Sequence, residues 1–404
     1  MHPVEDIRGK KSNKLAGKKI VLGVCGSIAA VEDVRLAREL IRHGAEVIPV
    51  MSGSATGIIH PYALEFATGN RPITDITGAV EHVSLCGAVP DRADLLLVAP
   101  ATANTISKMA TGIDDTPVTT FATTALGTGI PVVAVPAMHG TMYDHAVVLA
   151  NIRKLEDLGV VFVGPLMAES KAKMARWDQI ISTVIRIAGK RELEGKRMLV
   201  IGGGTQESID NMRLITNKAT GRTGIALAQA AYQRGALVTL WMGHGHFDPP
   251  SYLTVEDFST VDELLKKAKG KERFDIIIMS AAVGDYAPVP HQGKIPSGKE
   301  SIKLELKPLP KVITQLRKTH KKAFIVGFKA ESGLKWNDLI GRGRKLMERE
   351  DLQMVVVNDI EMITPEENHI AVVFPAGPPG KKSGSKDVLA EFLLDCMGEC
   401  LSRR

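Results

Sequence analysis

The stretch Lys18–Ser52, KKIVLGVCGSIAAVEDVRLARELIRHGAEVIPVMS, decides the fold class. Residues 19–24 read as a buried strand, with the apolar run Ile20–Val24 the pattern of a strand buried on both faces. The run breaks at Gly26-Ser27. Val31, Val34, Leu36, Ala37, Leu40 and Ile41 then mark a helix that stops near Gly44, and a second strand, 46–51, follows at once. Strand, small-residue turn, helix and strand make one βαβ unit. Outward from it, apolar strands recur at DLLLVAP (94–100) and IPVVAVP (130–136), separated by helix-like segments. The alternation predicts an α/β fold with a doubly wound, mostly parallel sheet and ligands at the carboxyl ends of its strands.

The pattern restarts after a polar linker at 189–196. A strand at 197–201 runs into Gly202-Gly203-Gly204, followed by a loop, a helix over 222–234 and a strand at 237–243. Further apolar runs lie at 275–283, 323–328 and 354–359. Residues 376–386, AGPPGKKSGSK, read as an exposed loop, and 387–401 as a closing amphipathic helix. Three segments are expected: a basic N-terminal tail at 1–19, a first domain at 20–189 and a second at 190–404. Both domains should be doubly wound, with Rossmann-like or flavodoxin-like character.

Composition narrows the function classes. Hydrophobic residues make up 44% of the 404 and aromatics 4%, so the cores must be built from aliphatic side chains. The net charge of +6 comes from 51 basic residues interspersed with 45 acidic ones, which suits phosphorylated small molecules rather than nucleic acid. No apolar run is long enough to span a membrane, and the first 19 residues lack the apolar centre of a signal peptide. Cys25, Cys86, Cys396 and Cys400 have no zinc spacing and predict reduced thiols in the cytoplasm.

GVCGSIAA places Gly26, Ser27 and Ile28 where backbone N–H groups and a helix N-terminus can surround a phosphate. Ser52 ends the second strand, and Thr102 and Asn104 follow the third, giving neutral donors at three strand ends. The absence of GxGxxG in this turn argues for a mononucleotide. In VVAVPAMHGTMYDHA (132–146) a buried strand runs into a turn that presents Met138, His139 and Met142. GSIAA, the His82 of VEHVSL, APATAN and PAM-x-x-x-M together resemble the flavin-dependent cysteine decarboxylases, and among them phosphopantothenoylcysteine decarboxylase, over roughly residues 18–180. The resemblance implies bound FMN, His82 as the base beside the flavin, and a trimer with FMN between subunits. Two departures stand out. The family's capture turn reads PAMN, whereas His139 replaces the asparagine here, so His139 is expected to clamp the substrate carboxylate. The cysteine of the family's mobile flap is missing from PLMAESKAKMA (165–175), leaving Glu169 or His139 as candidate proton donors.

The segment VIGGGTQESIDNMRLITNKATGRTG (200–224) inserts some twenty residues where a dehydrogenase would close its glycine turn. It resembles phosphopantothenate–cysteine ligase, as do SAAVGDYAP (280–288), GKIPS (293–297) and VGFKAES (326–332), over about 195–395. The whole chain thus resembles the bifunctional fusion of both enzymes of coenzyme A synthesis, of archaeal type. The resemblance implies 4'-phosphopantothenate, cysteine and CTP as substrates and Mg2+ (or Mn2+) as the metal, its protein ligands unknown. Asn217 would handle the activated intermediate and Lys294 the triphosphate. Ala281, Asp285, Pro310, Phe328 and Lys345, with Arg349 beside the last, would form the nucleotide site. The ligase half is expected to dimerise, so trimers joined by dimers would give a hexamer or dodecamer. Two other classes remain open, a non-catalytic flavin-fold regulatory subunit and a pyridine-nucleotide oxidoreductase built of two Rossmann domains.

Overall fold

The computed structural model describes residues 2–168, 171–298, 300–364 and 367–402. The chain divides into two compact units, Met1–Arg191 and Glu192–Arg404.

In the first unit five parallel strands lie in the order Glu46–Met51, Lys19–Val24, Leu95–Ala101, Val132–Pro136, Val161–Phe162. By chain position this is 2-1-3-4-5, the flavodoxin-like order, whose topological switch lies between the first and third strands. Ile20, Leu22 and Val24 enter one apolar core and Val21 the other. The apolar residues after Lys19 therefore find apolar packing on either face. Leu36, Ala37, Leu40 and Ile41 of the helix Asp33–Arg42 complete the first core. Each leucine or isoleucine so buried contributes about 1.5–3 kcal/mol.

The N-terminal segment is not a free tail. Val4 and Leu15 belong to the first core, and the backbone of 9–15 caps the end of the helix Asp33–Arg42. Gly9 N donates to Ile41 O (3.0 Å), Lys11 N to Arg42 O (2.9 Å) and Leu15 N to His43 O (2.8 Å). Carbonyls at a helix end need such donors, and two apolar residues among polar ones suffice to anchor the strap.

The second unit holds eight strands, ordered Thr254–Asp257, Leu237–Met242, Arg197–Gly202, Ile276–Met279, Phe324–Glu331, Met354–Asp359, Asn368–Val373, Gly380–Gly384. The first six are parallel and follow the Rossmann order 3-2-1-4-5-6. The last two are antiparallel. Gly380–Gly384 lies inside the segment read from sequence as a loop. Its lysines and serine carry no apolar stripe because it forms the outer edge, where charge blunts further pairing. Helices Arg222–Gln233 and Lys386–Ser402 cover one face of this sheet, and Val261–Ala268, Val312–Thr319 and Trp336–Glu350 the other. Among the described residues no helix is long and apolar enough to cross a membrane.

Candidate functional site

At the switch point of the first sheet, three strand ends open a cavity of about 960 Å³. Gly26, Ser27, Ile28, Ser52, Thr102, Asn104 and His139 all line it, although they come from four separate segments. Thr102 caps the helix Ala103–Thr111 by accepting from Thr105 N at 3.2 Å. Ser27 accepts from Ala29 N at 3.4 Å and starts the short helix Ile28–Glu32. Ser52 precedes the helical turn Gly53–Thr56. Three helix starts thus converge on the cavity with unpaired backbone donors, an arrangement that suits a phosphate. Ile28 is 77% exposed. An isoleucine bare to that degree at a cavity mouth offers apolar surface to a ligand.

Gly26 is required by close packing. A Cβ there would lie 2.4 Å from Ser54 Cβ, and Ser54 itself lines the cavity. Gly26→Ala should push that wall inward and weaken flavin binding about tenfold, the order set by overpacking costs of 1–3 kcal/mol. Titration of the apoprotein with flavin, followed by fluorescence, checks it. Undiminished affinity would contradict this placement.

His139 forms a two-residue strand with Met138, paired with Lys171–Lys173 of the hairpin that includes Leu166–Ala168. His139 is exposed, so it is no core histidine, and Lys171 stands directly across from it and also lines the cavity. Nothing in the sequence singled out Lys171, because only the strand pairing brings it there. Glu169, the other candidate proton donor, lies outside the described residues. Lys108 is held by Asp115 at 2.7 Å on the rim. Cys25 is fully buried and its thiol is pushed up to about 12 by burial, which leaves it an inert packing group.

His82 is not among the residues lining this cavity. It sits in the helix Glu81–Cys86, half-buried, and its Nδ1 is enclosed without a hydrogen-bond partner. An unsatisfied imidazole nitrogen costs free energy unless something completes it. Exposed Val80 and Val83 flank it.

The second unit has its own cavity, about 370 Å³, at the carboxyl ends of Ile276–Met279 and Phe324–Glu331. Ala281, Asp285, Pro310, Phe328 and Arg349 line it together with Lys311, which pairs with Asp285 at 2.5 Å and which the sequence reading passed over. The glycine turn is stitched to this wall. Gly203 has φ +78°, and a Cβ on it would collide with Gly243 O at 2.5 Å. Gly284 N donates to Thr205 Oγ1 (2.8 Å), and Asn217 Nδ2 donates to Ala282 O (2.8 Å). Asn217, Lys294 and Lys345 are exposed and do not line the cavity. Lys294 nevertheless sits on a fixed loop. Asp210 accepts from Ile295 N (3.0 Å), Met212 N and Arg213 N, and it pairs with Arg213 at 2.6 Å. These donors hold the Asp210 carboxyl well below the usual range, with the Ile295 N–H the largest influence.

Two family models match the chain, the flavoprotein family over residues 8–189 and the DNA/pantothenate metabolism flavoprotein C-terminal domain over 193–400. A coenzyme A biosynthesis bifunctional protein from Thermococcus kodakarensis is 50% identical over 98% of this chain and 98% of its own length. The chain belongs to the bifunctional coenzyme A biosynthesis family. Its members also include a Methanocaldococcus jannaschii protein, 38% identical over 98% of this chain and 97% of its own, and a Bacillus subtilis protein, 32% identical over 86% and 87%. The two family models divide between the two units, so the chain carries a flavoprotein half and a ligase half, and each half has a cavity at the carboxyl ends of its parallel strands. Placing both halves in one chain gives them equal abundance, while each keeps its own core.

Proposed function

We propose that the enzyme first couples 4'-phosphopantothenate to cysteine and then decarboxylates the product to 4'-phosphopantetheine. The observation that carries this reading is the grouping of the motif residues. Those expected for a flavin gather from distant segments around one cavity, and Ala281, Asp285, Pro310, Phe328 and Arg349 of those expected for a nucleotide gather around the other.

In the flavoprotein half, Gly26, Ser27, Ile28, Ser52, Thr102 and Asn104 would hold FMN, and the neutral donors at three helix starts fit its phosphate. When bound, FMN would take two electrons from the substrate's cysteine portion, which lets CO2 leave, and would return them to the product, so that the overall decarboxylation is redox-neutral. His82 exchanges the proton at the reacting carbon's side of the substrate. His139, exposed on the cavity rim, holds the departing carboxylate, because an imidazolium donates a charge-assisted hydrogen bond. Lys171 facing it keeps the rim positive.

In the ligase half, a carboxylate needs a better leaving group before an amine can attack it. The acid attacks CTP, pyrophosphate leaves, and an acyl-cytidylyl anhydride remains. Cysteine's amine then displaces CMP. Ala281, Pro310 and Phe328 would line the nucleotide, with Lys345 and Arg349 at its phosphates. Mg2+ or Mn2+ would ride on the polyphosphate beside Asp285, since Mg2+ favours one or two carboxylates plus phosphate oxygens. Asn217, with Nδ2 already tied to Ala282 O, keeps its amide oxygen for the activated intermediate.

His82 and Lys294 stand outside the cavities of their own chain. We read this as the mark of sites completed by neighbouring copies, through trimers of the flavoprotein half and dimers of the ligase half, closing as a hexamer or dodecamer in the cytoplasm. Exposed Val80, Val83 and Ile113 in one half, and Met212, Leu214 and Leu306 in the other, supply apolar surface for such contacts. The decisive experiment incubates the yellow protein with phosphopantothenate, labelled cysteine, CTP and Mg2+ and follows CMP, pyrophosphate and CO2. Release of all three is the expected result. CO2 without nucleotide consumption, or neither, would overturn the reading.

A further inference from the structure

Decarboxylation replaces a carboxylate by hydrogen, R–COO− + H+ → R–H + CO2, so each turnover delivers one proton to the carbon that CO2 leaves. With the adjoining thiol carbon oxidised by two electrons, the electron pair of the broken C–C bond spreads onto sulfur. It returns to carbon when the new C–H bond forms, and only then can the two electrons held on the flavin go back. The proton donor must therefore stand beside the departing carboxylate, which puts it next to His139.

Most proton-bearing groups on the flavin cavity's wall are engaged elsewhere. Lys108 spans both oxygens of Asp115, at 2.8 and 2.7 Å. The hydroxyls of Thr102 and Thr116 are bonded to those of Thr105 and Thr119, at 3.1 and 2.9 Å. Lys173 stands opposite Leu166, two positions along its strand from the residue that faces His139. Lys171 is that residue. It pairs directly with His139 across antiparallel strands, a position that sets Cβ atoms about 4.5–5.5 Å apart. Ala172, next to it, is 1% exposed and faces inward, so Lys171 projects the other way, onto the cavity wall. Lys171 is exposed, and no carboxylate of the described residues pairs with it. Its ammonium carries three transferable protons on a flexible stem.

We propose that Lys171 is the catalytic acid that protonates the carbon vacated by CO2, while His139 opposite it holds the carboxylate until it leaves. One N–H bond of the ammonium breaks, one C–H bond forms, and the amine regains a proton from solvent before the next turnover. The inference rests on the flavin reading of this cavity.

The test uses the full-length protein with bound FMN, under anaerobic conditions, with supplied phosphopantothenoylcysteine and the variants Lys171→Ala and Lys171→Arg. Each variant should release a single CO2 per bound flavin and then stall, with steady-state turnover down about 10²- to 10⁴-fold. The flavin absorbance should stay bleached, and mass spectrometry should find a decarboxylated product two hydrogens short of 4'-phosphopantetheine. Wild type should end the reaction yellow with complete product. Lys171→Arg separates acid from charge, because a guanidinium keeps the positive rim but does not give up a proton. Added methylamine should restore colour and turnover in Lys171→Ala, where it fills the vacated space, and not in Lys171→Arg. Flavin content and ligase activity serve as folding controls. Turnover of either variant within about threefold of wild type would overturn the proposal. So would loss of the first CO2 with the flavin left yellow, which would make Lys171 a binding group. Wild-type protein that binds no flavin or releases no CO2 would overturn the reading of the cavity itself, a distinguishable outcome.

Discussion

His82→Asn is expected to remain yellow and to ligate normally while losing decarboxylation about 10²- to 10⁴-fold, the usual contribution of a positioned acid–base group. The flavin should stay because His82 does not line the cavity whose walls are Gly26, Ser52, Thr102 and Asn104. Asparagine keeps a polar atom near the enclosed Nδ1 position and can still donate or accept, but it cannot titrate near neutral pH. Quenched-flow measurement of CO2 from supplied phosphopantothenoylcysteine, beside a visible spectrum, reads both quantities. The same variant also tests assembly. Co-expressed with a chain whose cavity is blocked by Gly26→Val, it should yield mixed oligomers that regain part of the activity, because a sound cavity can then meet a sound histidine from another copy. Normal CO2 release by His82→Asn alone would remove the residue from the mechanism. Failure of the mixed oligomers to recover would instead return the histidine to its own chain's site.

Lys294→Gln carries the second large effect. Ligation should fall about 10²- to 10³-fold in kcat, the loss typical of one charge-stabilising donor at a transition state. The lysine is exposed, so its removal should leave thermal unfolding nearly unchanged, as surface substitutions usually do. Its loop position survives the change because the anchors belong to Asp210, Arg213 and the Ile295 backbone. Decarboxylation of supplied phosphopantothenoylcysteine should continue at the wild-type rate. A parallel fall in both activities would mean that the two units do not work separately.

Much of this enzyme was legible in the chain before any coordinates. Apolar runs at 20–24, 95–99 and 132–136, and again at 198–201 and 354–357, are buried on both sheet faces, so their composition alone announces central parallel strands. The turns at Gly26-Ser27 and Gly202-Gly203-Gly204 end the first strand of each sheet, where Gly26 is pressed against Ser54 and Gly203, with φ +78°, against Gly243. The residues proposed to hold FMN were visible as strand-end motifs, and the structure gathers them around one cavity.

What local pattern could not supply is the meeting of distant segments. The strand Gly380–Gly384 exists only because Asn368–Val373 offers it hydrogen bonds, and its glycines, lysines and serine carry no period of their own. The N-terminal strap is ordered because the helix Asp33–Arg42 ends in carbonyls that need donors. Tertiary packing alone sets Lys171 opposite His139, pairs Lys311 with Asp285, and holds His82 and Lys294 outside the cavities of their own chain. The same packing carries Lys386, more than 160 positions beyond Thr223, to the wall that both share. Secondary structure and turn chemistry are settled by residues within a few positions of one another, and the sequence determines them. The charge balance of a site is settled by which helices cover which face of the sheet, and only the folded chain decides that.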